Sequence, residues 1–91
     1  MAVRKLVRVT GRVQGVGFRD YVRRLAAEMG LAGFVRNEDD GSVVAELEGH
    51  HEAVEAVVAA IRGEPPRFAR VHAVEEMYVE TTGETGFRVS W

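Results

Sequence analysis

The chain contains no cysteine, a single lysine (Lys5) and only two prolines, which are adjacent at Pro65 and Pro66. Without cysteine there are no disulfides, no thiolate nucleophile and no cysteine-ligated metal, a composition compatible with the cytosol. No apolar stretch approaches the roughly 20 residues needed to span a bilayer. The first nine residues, MAVRKLVRV, alternate charged and apolar side chains and lack the apolar segment of a signal peptide, so they read as a strand. Positive charge is not in excess either. Twelve Lys and Arg stand against fourteen Asp and Glu, giving a net charge of -2 and a pI near 5.9. That balance excludes a general nucleic-acid coat protein, which needs a basic surface, but leaves room for a local anion site. The expectation is a cytoplasmic monomer that binds neither nucleic acid nor membrane. Eleven arginines against one lysine is read as a compositional bias without functional meaning.

What is present suits an ordinary folded domain. With 46% hydrophobic and 29% charged residues over 91 positions, the chain has room for one core, and residues 1–91 are read as one domain. Residues 3–10 place Val7 and Val9 on one face and Arg8 and Thr10 on the other, a half-buried strand in which Leu6 breaks the alternation and which ends at Gly11. Phe18, Val22, Leu25, Ala26 and Met29 then recur on one helical face, with Gly30 as a C-terminal cap. Residues 32–36 read as a short strand, Asn37 to Gly41 as a hairpin connection with an Asp-Gly turn, and residues 42–48 as its partner, with Val43, Ala45 and Leu47 inward. A second helix begins near His50 or His51, carries the stripe Val54, Val57, Val58 and Ile61, and stops at Gly63 before Pro65. Residues 68–80 form a long strand and residues 86–91 a last short one, with Phe87, Val89 and Trp91 on one face. The order β-α-β-β-α-β plus a short C-terminal strand predicts a ferredoxin-like α/β sandwich, with both helices on one face of a mainly antiparallel sheet and Arg4, Arg8 and Arg88 outward on the other. That fold serves enzymes, carriers and regulatory modules alike.

Function must therefore come from the loop after the first strand, Gly11-Arg12-Val13-Gln14-Gly15-Val16-Gly17-Phe18-Arg19. Three glycines allow successive amides to curl into one concavity, the N-terminus of the following helix adds free N–H donors, and Arg19 in its first turn adds a planar two-pronged cation. Phosphate or carboxylate fits this geometry. Glycines at such spacing also serve chains that merely bend tightly. A nucleotide-binding P-loop is excluded, because the segment ends Gly17-Phe18-Arg19 without the lysine and the magnesium-binding hydroxyl.

The segment Gly11 to Arg19 closely resembles a signature of the acylphosphatases, small enzymes that hydrolyse the carboxyl-phosphate bond of acyl phosphates. Gly33-Phe34-Val35-Arg36-Asn37 followed by Asp40-Gly41-Ser42-Val43 is similar to that family's second signature, and the likeness extends over essentially the whole chain. The resemblance implies that Arg19 binds the phosphate with the amides of the loop over Val13, Gln14, Gly15, Val16, Gly17 and Phe18. It further implies that Asn37 positions the attacking water, whereas Asn37 read alone is a turn former. The implied leaving group is a carboxylate, whose conjugate acid has a pKa of about 4, so no general acid is required at neutral pH. No metal and no cofactor are expected. The partners implied are a small-molecule acyl phosphate and the inorganic phosphate it yields. The alternative is a non-catalytic phosphate-binding or regulatory module of the same fold.

Other candidate residues read as structural. His50 and His51 are adjacent, diverge by about 100° on a helix and cannot face one ion. His72 stands alone in a strand. Glu38, Asp39 and Asp40 lack the alternating ligand pattern of a calcium loop. Glu75 and Glu76 point to opposite sides of a strand, and Glu75 among apolar neighbours suggests a bulge. Phe18, Phe34, Phe68, Phe87, Trp91, Met29 and Met77 are assigned to core packing, since the aromatic signature of RNA-binding sheets is missing.

Overall fold

The computed structural model describes residues 1–90. The chain runs β1 (Ala2–Arg12), α1 (Phe18–Glu28), β2 (Ala32–Asn37), β3 (Val43–His50), α2 (His51–Gly63), β4 (Arg70–Val79) and β5 (Phe87–Ser90). The sheet has the order β4-β1-β3-β2-β5. β1 is antiparallel to β3 and β4, β2 is antiparallel to β3, and β5 lies parallel to β2. This is the expected α+β ferredoxin-like fold, and it supplies the neighbour of the last strand, which local periodicity does not encode.

The core lies between the helices and one face of the sheet. β1, β2 and β3 contribute Val7, Val9, Val35, Val43, Ala45 and Leu47; the helices contribute Phe18, Val22, Ala26, Val54, Val57, Val58 and Ile61. Phe18 is the first residue of α1 and only 1% exposed. It nails the start of the helix to the core, and truncating such a side chain costs about 4 kcal/mol. α2 begins at His51, with His50 as its N-cap residue, and it ends at Gly63, as the proline pair anticipates.

Leu6 does not break the strand pattern. Val3, Lys5, Val7 and Val9 share the helix side, while Arg4, Leu6 and Arg8 share the open side, where Leu6 lies opposite Met77. Lys5 is buried: its Nζ donates to Glu55 at 2.5 Å and Glu76 at 2.8 Å and sits 4.5 Å from the centre of the Tyr78 ring. Burial alone would lower the Lys5 pKa, but the two carboxylates outweigh it and hold it above its ordinary value.

Several expectations require correction. β1 continues through Gly11 to Arg12, and Gly11 lies so close to β4 that an added Cβ would stand 2.1 Å from the Arg70 carbonyl oxygen. The bulge falls at His72, opposite the Thr10/Gly11 step, rather than at Glu75, which keeps regular register with Arg8 on the open face. Arg4 faces the open side but is 3% exposed, not solvated, because the segment before β5 folds over it. Its guanidinium meets Glu46 at 2.6 Å, Glu48 at 2.9 Å and Glu84 at 2.7 Å. Glu48 in turn accepts the amides of Thr82 at 2.8 Å and Gly83 at 2.9 Å. Arg8 and Arg88 do face solvent. Phe68 and Met77 are exposed at 67% and 60%, since one sits in the turn before β4 beside Arg67 and the other on the uncovered face of an edge strand. Met29, the C-cap residue of α1, is also exposed. Phe34 lies half-buried on the open face, flanked by the guanidiniums of Arg36 and Arg88 at 5.1 and 5.5 Å. Trp91, expected beside Phe87 and Val89, lies outside the described residues.

Candidate active site

β1 delivers the chain to Val13, which is 1% exposed and turns its side chain into the core. The backbone then has to reverse within four residues. Gly15 and Gly17 have φ of +74° and +78°, and an added Cβ would meet nothing within 4 Å at either. Glycine is therefore demanded here by the left-handed backbone, not by lack of space. Gly17 is the N-cap of α1 and offers no side-chain cap, so the first amides of the helix look outward with no capping oxygen. Among the described residues, the amides of Gly15, Val16 and Gly17 donate to no acceptor of the chain. Unpaired donors beside the positive end of a helix dipole have the geometry of a candidate anion seat.

Gln14 does not face that seat with its side chain. Its Nε2 crosses to the β2–β3 hairpin and donates to the Glu38 carbonyl at 2.8 Å and the Ser42 carbonyl at 2.9 Å. The hairpin is closed by Glu38 N–H to the Ser42 carbonyl at 2.8 Å and by Asp40, which accepts the Ser42 amide at 2.9 Å. Asp40 also pairs with Arg8. Hydrogen bonds from Ser42 first, and Arg8 second, hold the Asp40 carboxyl below the usual carboxylate range. Through Gln14 the glycine loop and the end of β2 are fastened to each other. Val16 packs against the core, so that it, like Gln14, can offer the seat only its backbone.

Asn37 is the last residue of β2 and opposes Val43. Its Oδ1 is buried and, among the described residues, has no hydrogen-bond partner. The residue lines the cleft of about 300 Å3 that Gly15, Gly17, Phe18 and Arg19 also line. Arg19, in the first turn of α1, donates through Nη1 to the Ser90 carbonyl of β5 at 3.4 Å, so the last strand holds the guanidinium at the mouth. Asp20 is on the rim, where its carboxylate accepts from Arg23 at 2.8 and 3.0 Å and from Arg24 at 3.1 Å. Hydrogen bonds from Arg23, then Arg24, lower its pKa and cover its negative charge. Among the described residues no group of three His, Asp or Glu is placed to hold a metal, and no helix is long and apolar enough to cross a membrane.

A sequence model of the family described as Acylphosphatase matches residues 5–89. The chain belongs to the acylphosphatase family. An acylphosphatase of Salinibacter ruber is 48% identical over 83 residues, covering 90% of this chain and 86% of the relative. One from Thermococcus kodakarensis is 47% identical over 87 residues, covering 96% and 94%. The fold matches the crystal structure of acylphosphatase from Bacillus subtilis with a TM-score of 0.93 at 34% identity, over 100% of both chains. Acylphosphatase membership makes the chain a hydrolase, with an acyl phosphate as substrate and phosphate as product. Three features of this acylphosphatase cleft escape the sequence: the Gln14 tether, the cover on Asp20, and the contribution of Val89 and Ser90. The last depends on β5 lying beside β2, for which no local signal exists; the other two have as signals the i, i+3 and i, i+4 spacing of Arg23 and Arg24 from Asp20 and a polar residue directly before Gly15.

Proposed function

We propose that the chain, acting as one domain, hydrolyses small acyl phosphates by in-line attack of a water that Asn37 orients. The observation that carries this reading is the buried Asn37 Oδ1, without a partner among the described residues, on a residue that shares a cleft with Arg19 and the glycine loop. A buried acceptor left unmatched costs about 1–3 kcal/mol, a cost most simply retained where the acceptor serves a transient donor. Water is such a donor. The amides from Gly15 to Phe18 and the Arg19 fork receive the three phosphoryl oxygens, whose charge spreads in a loose transition state.

The water oxygen bonds to phosphorus as the bond from phosphorus to the acyl oxygen breaks. The electron pair leaves on the carboxylate, and a water proton passes to a phosphoryl oxygen, giving carboxylate and dihydrogen phosphate. Asn37 takes no proton; it fixes the line of attack. Among the described residues lining the cleft the carboxylate is that of Asp20, and it is already engaged by two arginines.

The test is hydrolysis of benzoyl phosphate in EDTA by the purified protein. Turnover without added metal and without stable label on the protein from a labelled phosphoryl group supports the reading. Phosphate binding with no turnover would instead point to an anion-binding module. The fold also occurs inside larger proteins: full-length HypF, in a phosphate- and nucleotide-bound crystal structure, contains a matching segment covering 12% of that chain, with a TM-score of 0.92 and 26% identity.

A further inference from the structure

The phosphoryl seat accounts for the polar side of the cleft and leaves one wall unexplained. Val89 of β5 lines the cleft and is 40% exposed, whereas the other apolar side chains there, Val13 and Phe18, are 1% exposed and turned into the core. Register fixes where Val89 points. It pairs with Val35, a fully buried residue of the helix-covered face, so both side chains leave the sheet on the side of α1. The next residue, Ser90, supplies the carbonyl that accepts from Arg19. Val89 is thus the chain neighbour, about 3.8 Å away Cα to Cα, of the residue whose carbonyl accepts from Arg19. In an acyl phosphate the acyl group is bonded to phosphorus through one oxygen, so its substituent lies in the same cleft that Val89 lines.

The strand carrying Val89 is also fixed in place. Gly33 N–H donates to the Gly86 carbonyl at 3.0 Å at its start, and Glu48 pins the preceding segment through the Thr82 and Gly83 amides. We propose that Val89 forms an apolar subsite for the acyl half of the substrate, favouring aromatic or branched acyl groups over acetyl. The proposal rests on the reading of the cleft as an acyl phosphate site, but its test does not depend on turnover.

Methylphosphonate and benzylphosphonate, which the protein cannot hydrolyse, are titrated calorimetrically into the wild type, Val89→Ser and Val89→Leu. The expected result is that the wild type binds benzylphosphonate about tenfold more tightly than methylphosphonate, the ratio falls to about threefold in Val89→Ser, and Val89→Leu keeps it. The ratio, unlike either affinity alone, is insensitive to a general disturbance of Arg19. An unchanged ratio in Val89→Ser, or no preference in the wild type, overturns the subsite. If the ratio behaves as expected while benzoyl phosphate is not hydrolysed, the subsite stands and the hydrolase reading fails.

Discussion

Gln14 reaches out of the glycine loop and donates to the Ser42 carbonyl at 2.9 Å, joining two segments separated by 28 positions in the chain. The same amide nitrogen serves the Glu38 carbonyl, so one side chain spans the neck of the β2–β3 hairpin. Both carbonyls also accept a backbone amide, which lets them tolerate loss of the side chain. Gln14→Ala should therefore fold, with a stability loss of about 1–2 kcal/mol in urea denaturation. Its larger effect should be on kcat, because Asn37 and the loop amides would no longer be held at one separation. A variant with reduced stability but wild-type kcat would show that the tether serves the fold alone.

Arg19 illustrates how far residue type constrains chemistry. Lysine at that position keeps the charge but has no planar fork with which to span two phosphoryl oxygens and the Ser90 carbonyl together. Arg19→Lys should lower kcat/KM for benzoyl phosphate by about 100-fold or more. Near wild-type turnover in that variant would remove Arg19 from the role assigned to it.

Much of this was legible in the chain. Apolar spacing along Phe18, Val22 and Ala26 and along Val54, Val57, Val58 and Ile61 specifies both helices, because a 3.6 residue period admits no other buried face. Gly15 and Gly17 announce a left-handed loop for the same kind of reason. What failed was the environment of residues that local pattern places only on a face. Arg4 sits on the open side as its spacing requires, yet it is buried, since a segment nearly 80 positions away folds over it. Phe68 and Met77 are apolar but lie in a turn and on an edge strand, where no layer covers them. Val89 enters the cleft only because β5 adds beside β2.

Glu48 gives acid sensitivity a specific origin. The Thr82 amide first, then Arg4, hold its carboxyl down to about 2, well below its ordinary 4.5. A carboxyl with a lowered folded-state pKa contributes stability above its unfolded pKa and loses that contribution as pH falls through the folded one. Wild type should therefore exceed Glu48→Gln in stability at pH 7, and the gap should close between about pH 4.5 and pH 2 in denaturant titrations. Glu84 and Glu76, whose pKa values are lowered by Arg88 with Arg4 and by Lys5 with Arg62, act in the same direction and remain in both proteins. A gap constant with pH would mean that Glu48 acts by shape and not by charge.

Asn37 should separate stability from turnover. Its Oδ1 is a buried acceptor without a partner among the described residues, so Asn37→Ala removes an unmatched polar atom as well as the group proposed to direct the water. Taking away such an acceptor relieves a desolvation cost of about 1–3 kcal/mol, set against the packing lost with a few side-chain atoms. The variant should consequently be as stable as the wild type or more so. Its kcat should fall by about 100-fold, in line with the loss of one positioned group in a reaction driven by alignment. Competitive inhibition by inorganic phosphate should change little if, as proposed, the phosphoryl oxygens rest on the loop amides and Arg19. A large rise in the phosphate inhibition constant would place Asn37 among the anion ligands, and a marked loss of stability would mean that its amide is satisfied by the fold after all. Higher stability with lost turnover is the signature of a group kept for chemistry at the expense of the fold.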